Sequence, residues 1–142
     1  MPSISWANDW LKFSKYAESI EKHFGNQPVQ FDFILLGLGS NAHTASLFPN
    51  TSVLNETEAT IKAVFVDEVE MFRITLTAPL INQARNIAFL VFGKDKADAV
   101  YEILEATDAL SNLYPARLIQ QKDKKVHWFL DEEAAEKLTT SS

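Results

Sequence analysis

The chain has 142 residues, 46% hydrophobic and 23% charged, which is material for one globular domain around a single core. A net charge of −6 argues against a surface built to grip nucleic acid or an anionic membrane, and the lack of cysteine removes disulfides, thiolate catalysis and Cys-based zinc sites. His23, His43 and His127 are too dispersed to suggest a metal site, no apolar run reaches the roughly 18 residues that span a bilayer, and the N-terminus lacks a signal-peptide pattern, so the chain reads as cytoplasmic.

In chain order, Trp6, Trp10, Phe13, Ala17, Ile20 and Phe24 recur at spacings of three and four, which predicts an amphipathic helix ending at Gly25. That face has to dock on something, and the two tryptophans suit an ordinary core contact better than the cover of an exposed sheet. Phe31 to Leu36 is apolar apart from Asp32 and has no helical period; it predicts the central strand of a parallel sheet, covered on both faces. Gly37 breaks it, and after the loop to His43 a short apolar helical turn is expected. Asn50 to Ala59 reads as a surface loop.

Further strands are expected at Ile61 to Val66, Arg73 to Thr77, Ile87 to Phe92 and Val126 to Leu130, each rich in β-branched or aromatic residues. Lys94 to Ala106 places Ala97, Val100, Tyr101 and Leu104 on one helical face, and Asp131 is suited to cap a last helix, Glu132 to Leu138. Thr139 to Ser142 reads as a frayed tail. Strands alternating with helices and no long linker give one α/β unit over residues 1–142, with a mostly parallel, Rossmann-like sheet flanked by helices in three layers.

The chemistry concentrates where the first strand runs into Gly37-Leu38-Gly39-Ser40-Asn41-Ala42-His43. Parallel sheets bind ligands at such strand ends, and glycines let the backbone approach an anion or a developing oxyanion. A histidine there is suited to take a proton from water near neutral pH. The same pattern also describes an ordinary strand-to-helix connection, and spacing alone leaves a capping or packing role for His43 equally open. Lys96 reads first as a solvated helix lysine, His127 as a surface or packed histidine alternating with Trp128, and Asp131-Glu132-Glu133 as helix capping, while for Arg85 a structural ion pair and a site role are equally open.

Phe31-Asp-Phe-Ile-Leu-Leu-Gly-Leu-Gly39 followed by His43-Thr-Ala-Ser-Leu-Phe-Pro49 resembles the signature of the 6-phosphogluconolactonase family, relatives of the glucosamine-6-phosphate deaminases. Arg73-Ile-Thr-Leu-Thr77, Ile81-Asn82, Ala84-Arg85, Gly93 with Lys96, Pro115-Ala116 and Trp128-Phe-Leu-Asp131 extend the resemblance in the same order. It implies hydrolysis of 6-phospho-glucono-1,5-lactone to 6-phosphogluconate in the oxidative pentose phosphate pathway, with no metal or organic cofactor. His43 is then the general base, and Gly37, Gly39, Ser40, Asn41, Arg73 and Lys96 are substrate-binding candidates, Arg73 through its forked guanidinium.

The chain departs from the family pattern in three ways. Asn41-Ala42 stands where the family has Asp-Gly, and Glu70 stands where several members have a lysine. The family's N-terminal βα units, with their phosphate loop, have no counterpart here. The resemblance therefore implies a partial chain, weak or inactive alone, whose sheet is covered by a complementing N-terminal segment or a second copy. The alternative is a catalytically silent sugar-phosphate-binding or interaction module on the same scaffold.

Overall fold

The structure, a computed structural model, describes residues 5–107 and 112–139, with side chains from residue 11 onward. In chain order its elements are α1 (Ser5–Phe24), β1 (Ile34–Leu36), β2 (Ile61–Val66), β3 (Met71–Leu76), α2 (Ala78–Asn82), β4 (Ile87–Val91), α3 (Ala97–Leu104) and β5 (His127–Leu130). Among them no helix is long and apolar enough to cross a membrane.

Two sheets divide the strands. β1, β4 and β5 form a parallel sheet in the order β1-β4-β5, and β2 and β3 form an antiparallel ribbon. The alternation of side chains sends Ile34, Leu36, Ile87, Phe89, Val91, Trp128 and Leu130 to one face, where they join Ile81 of α2 and Ala99 and Val100 of α3 in a single core. The Trp128 ring lies flat on Phe89 at 3.9 Å, so β5 is pinned to the central strand by its largest side chain.

α1 follows its predicted period. Phe13, Ala17, Ile20 and Phe24 are half-buried, Tyr16, Glu18 and Ser19 face solvent, and the helix lies on β2 and β3. The side chains of Trp6 and Trp10 lie outside the described ones. At the far end Phe24 meets Phe31 edge to face at 5.4 Å, tying the helix to the approach of β1.

Several expectations are corrected. β1 has three residues, not six, and stands at the edge of the described sheet; β4 is the central strand. Parity puts Phe33 and Leu35 on the face opposite the core, where they are 57% and 56% exposed beside Leu90, Phe92 and Phe129. The described residues thus supply one covered face and one open one. The segment after His43 is a turn closed by a Thr44–Leu47 bridge, not a helix. Asn50 to Ala59 contains a 3-10 turn, Ser52–Asn55, that buries Val53 and Leu54 in the core. Glu132 to Leu138 is a series of turns, although Asp131 does cap it, its Oδ1 accepting from the Ala134 N–H at 2.8 Å. Of the tail read as frayed, Thr139 donates its N–H to the Glu105 carboxylate, and residues 140–142 lie outside the described residues.

Candidate functional site

β1 delivers the chain into a loop that is held by its own hydrogen bonds. The Thr44 hydroxyl donates to the Gly37 carbonyl at 2.8 Å, the Gly39 N–H to the His43 carbonyl at 2.9 Å and the Ala42 N–H to the Gly39 carbonyl at 2.9 Å. Ala42, which stands where the family has glycine, adopts a positive φ of 65°, a conformation that costs a residue with a β-carbon about 1–2 kcal/mol. Its side chain is fully buried, and its carbonyl accepts from the Ala116 N–H, so surrounding contacts offset the strain.

Three of the loop amides are already committed: those of Gly39, Ala42 and His43 are engaged within the loop, the last with Asn41 Oδ1 at 3.1 Å. The backbone of Gly39 serves a different end. A β-carbon there would fall 2.0 Å from Nδ1 of His43 and 2.8 Å from Asn41 Oδ1, so only glycine lets the imidazole lie against the chain.

His43 is half-buried and stacks on Phe48, with centroids 4.1 Å apart and planes 11° from parallel. Its Nδ1 sits 2.5 Å from Asn41 Oδ1. A carbonyl oxygen only accepts, so this bond places the proton on Nδ1 and leaves Nε2 as the basic nitrogen, with no hydrogen-bond partner among the described residues. Burial pushes the His43 pKa below the ordinary 6.5; the Glu68 carboxylate opposes that shift, and Lys96 and Arg73 add to it. The imidazole is thus the neutral, proton-accepting form at neutral pH.

Lys96 faces His43 across a cleft of about 470 Å³, whose remaining walls are Gly37, Leu38, Gly39, Thr44 and Ala45. The lysine is positioned from β5: both carboxylate oxygens of Asp131 accept from the Gly93 N–H at 3.1 Å, fixing the turn that carries Lys96, and Gly93 itself has a φ of 96°. Arg73 lies in β3 opposite Val64, exposed and without a hydrogen-bond or ion-pair partner among the described residues. The next side chain on the same face of that strand, Thr75, accepts from the Ser46 N–H at 3.1 Å, which docks the ribbon against the loop.

Of the residues that the sequence singled out, Gly37, Gly39, His43 and Lys96 share this cleft, Asn41 stands behind the imidazole, Arg73 approaches from the ribbon, and Ser40 is exposed and does not line it. Glu70 is the left-handed residue of the β2–β3 turn and makes no approach to His43. Glu68 of the same turn is the acid that matters, and sequence reasoning missed it because only folding closes the 27-residue gap to Asn41. Arg85 pairs with Asp32 at 3.1 Å, the structural one of its two open readings, and His127 is exposed beside the inward Trp128. No group of three or more His, Cys, Asp or Glu side chains among the described residues is arranged to hold a metal ion.

A family model described as glucosamine-6-phosphate isomerases/6-phosphogluconolactonase matches residues 7–128. The 6-phosphogluconolactonase of Homo sapiens is 39% identical over 126 residues, covering 87% of this chain and 48% of its own length. That of Synechocystis is 46% identical over 108 residues, covering 76% and 43%. Among solved structures, 6-phosphogluconolactonase from Trypanosoma brucei superposes with a TM-score of 0.78 at 31% identity, over 98% of this chain and 56% of that one. The chain spans about half the length of the curated relatives it matches.

Proposed function

Because the chain belongs to the glucosamine-6-phosphate isomerase/6-phosphogluconolactonase family, we propose that it carries the catalytic-base half of a lactonase acting on 6-phospho-glucono-1,5-lactone. The observation that carries this reading is the imidazole of His43, with Nδ1 committed to Asn41, Nε2 unengaged, and a cation facing it across the cleft.

In the proposed reaction Nε2 of His43 takes a proton from water as the water oxygen bonds to the lactone carbonyl carbon. The bond between that carbon and the ring oxygen then breaks, the imidazolium returns its proton to the ring oxygen, and the open-chain acid leaves. Lys96 and Arg73 are the groups we assign to the negative charge of the phosphate and of the tetrahedral oxyanion, in place of the engaged loop amides. Gly37 and Gly39 shape the wall against which the sugar ring lies, and Asn41 acts on His43, while Ser40, outside the cleft, is given no role. The pentose phosphate pathway and a cytoplasmic setting belong to the same proposal. So does a complementing segment over the open sheet face, which is supported by the length of the relatives that this chain leaves unmatched.

The test is lactone hydrolysis above the spontaneous rate, by the chain alone and by the chain complemented with the unmatched portion of a relative. The reading expects little turnover alone, and in the complemented protein a kcat/KM at least tenfold higher for the phosphorylated lactone than for glucono-1,5-lactone, a modest gain for an ion-paired phosphate. Equal rates for the two lactones would remove the phosphate-binding roles of Lys96 and Arg73.

A further inference from the structure

We propose that Glu68 is a positioning residue for His43, acting through the side-chain amide of Asn41 to hold the imidazole with Nδ1 protonated and Nε2 open to the cleft. The inference deepens the lactonase reading and rests on His43 being its base.

The geometry runs in one direction. Nδ2 of Asn41 donates to both carboxylate oxygens of Glu68, at 2.9 and 3.1 Å. A carboxylate can only accept, so the amide must turn its NH2 toward Glu68 and its oxygen toward His43. That oxygen accepts from the His43 backbone N–H at 3.1 Å and from Nδ1 at 2.5 Å, which orients the ring relative to the loop as well as choosing its tautomer. Phe48 supports the opposite side of the ring, and the bare backbone of Gly39 leaves room for it. Each link thus fixes the next, from an exposed acid on the β2–β3 turn to the free nitrogen in the cleft.

The arrangement also accounts for an uncharged residue at position 41. A carboxylate there would face Glu68 at hydrogen-bond distance and repel it, whereas the amide transmits orientation without placing a charge beside the imidazole. Glu68 is the one acid acting on His43 among the described groups, with Lys96 and Arg73 acting in the opposite sense. Its charge keeps the imidazole from becoming too weak a base while the site stays cationic toward a phosphate. Outer partners that orient metal-bound histidines cost about 10- to 100-fold when removed, and a partner that orients a metal-free imidazole through an amide is expected near the lower end.

The experiment is nitrogen-15 NMR of the histidine rings across a pH titration in the chain, for the parent protein, Glu68→Gln and Glu68→Asp, with backbone amide spectra as the control on fold. The parent should show His43 as the Nδ1–H tautomer. Glu68→Gln should mix the two tautomers and move the His43 pKa further below 6.5, and Glu68→Asp should restore both toward the parent. In the complemented protein Glu68→Gln should lower kcat about tenfold with KM little changed. A His43 tautomer and titration that ignore Glu68→Gln overturn the proposal at any level of turnover. If the ring responds as expected while His43→Ala leaves turnover intact, the Glu68 relay stands and the lactonase reading of His43 falls.

Discussion

Gly39 and His43 are so close that a β-carbon on residue 39 would lie 2.0 Å from the imidazole Nδ1 and 2.2 Å from Cε1. Phe48 is stacked on that ring and Asn41 is bonded to it, and its remaining side opens on the cleft, which is the way it can move. Gly39→Ala is therefore expected to displace the imidazole, not the backbone, at about 1–3 kcal/mol of stability. The check is urea unfolding together with the His43 ring-nitrogen signals. A variant of parent stability whose His43 remains the Nδ1–H tautomer would show that the loop relaxes instead.

The pH dependence of His43 has a definite sign. Burial lowers its folded-state pKa beneath the unfolded value of 6.5, so the unfolded chain binds the extra proton first as pH falls. The stability linked to His43 is fully present above pH 6.5 and is lost as pH falls from there through the folded pKa. Lys96 adds to the depression, so Lys96→Met should raise the His43 pKa toward 6.5 and narrow that window. In the complemented protein the same variant should raise KM for the phosphorylated lactone more than it lowers kcat. NMR titration of His43 in parent and variant, with unfolding followed from pH 5 to 8, checks both statements.

The two faces of the parallel sheet should respond differently to mutation. Phe89 is fully buried and stacked on Trp128, so Phe89→Ala is expected to cost about 3–5 kcal/mol. Phe129 is 58% exposed on the open face, and Phe129→Ser in the isolated chain should change stability by less than about 1 kcal/mol. Denaturant midpoints of the two variants decide this. A Phe129→Ser loss as large as that of Phe89→Ala would mean that the open face is already covered in the isolated chain.

Asp131 joins three segments, accepting from the Gly93 N–H with both oxygens and from the Ala134 N–H with Oδ1. Asp131→Ala should cost about 2 kcal/mol, the loss of charge-assisted bonds to backbone donors, and should also loosen the turn that carries Lys96. Thermal unfolding measures the first effect. The second predicts a His43 pKa displaced in the same sense as in Lys96→Met, read from the same ring signals.

Much of the fold was legible because its signals are local. The three- and four-residue spacing of Phe13, Ala17, Ile20 and Phe24 is a helix face whatever the helix meets, and Ile61 to Val66 matches its predicted strand at both ends. Phe31 to Leu36 misled because an apolar run reports the burial a sequence is suited to, not the neighbours present in the chain. Leu35 is apolar and yet 56% exposed. His43 and Lys96 were legible through the motif although they stand 53 positions apart. Glu68 was not, since an acid in a hairpin turn looks like any solvated charge until β2 and β3 carry it to Asn41.

In the proposed reaction Nε2 of His43 is the base that activates water on the phosphorylated lactone. The most direct measurement is kcat for His43→Asn in the complemented protein, corrected for spontaneous hydrolysis, with folding verified by amide spectra. A loss of about 10²- to 10⁴-fold with KM close to the parent value is expected, as for removal of a general base. Turnover equal to the parent in a folded His43→Asn variant would contradict it and place the base outside this cleft.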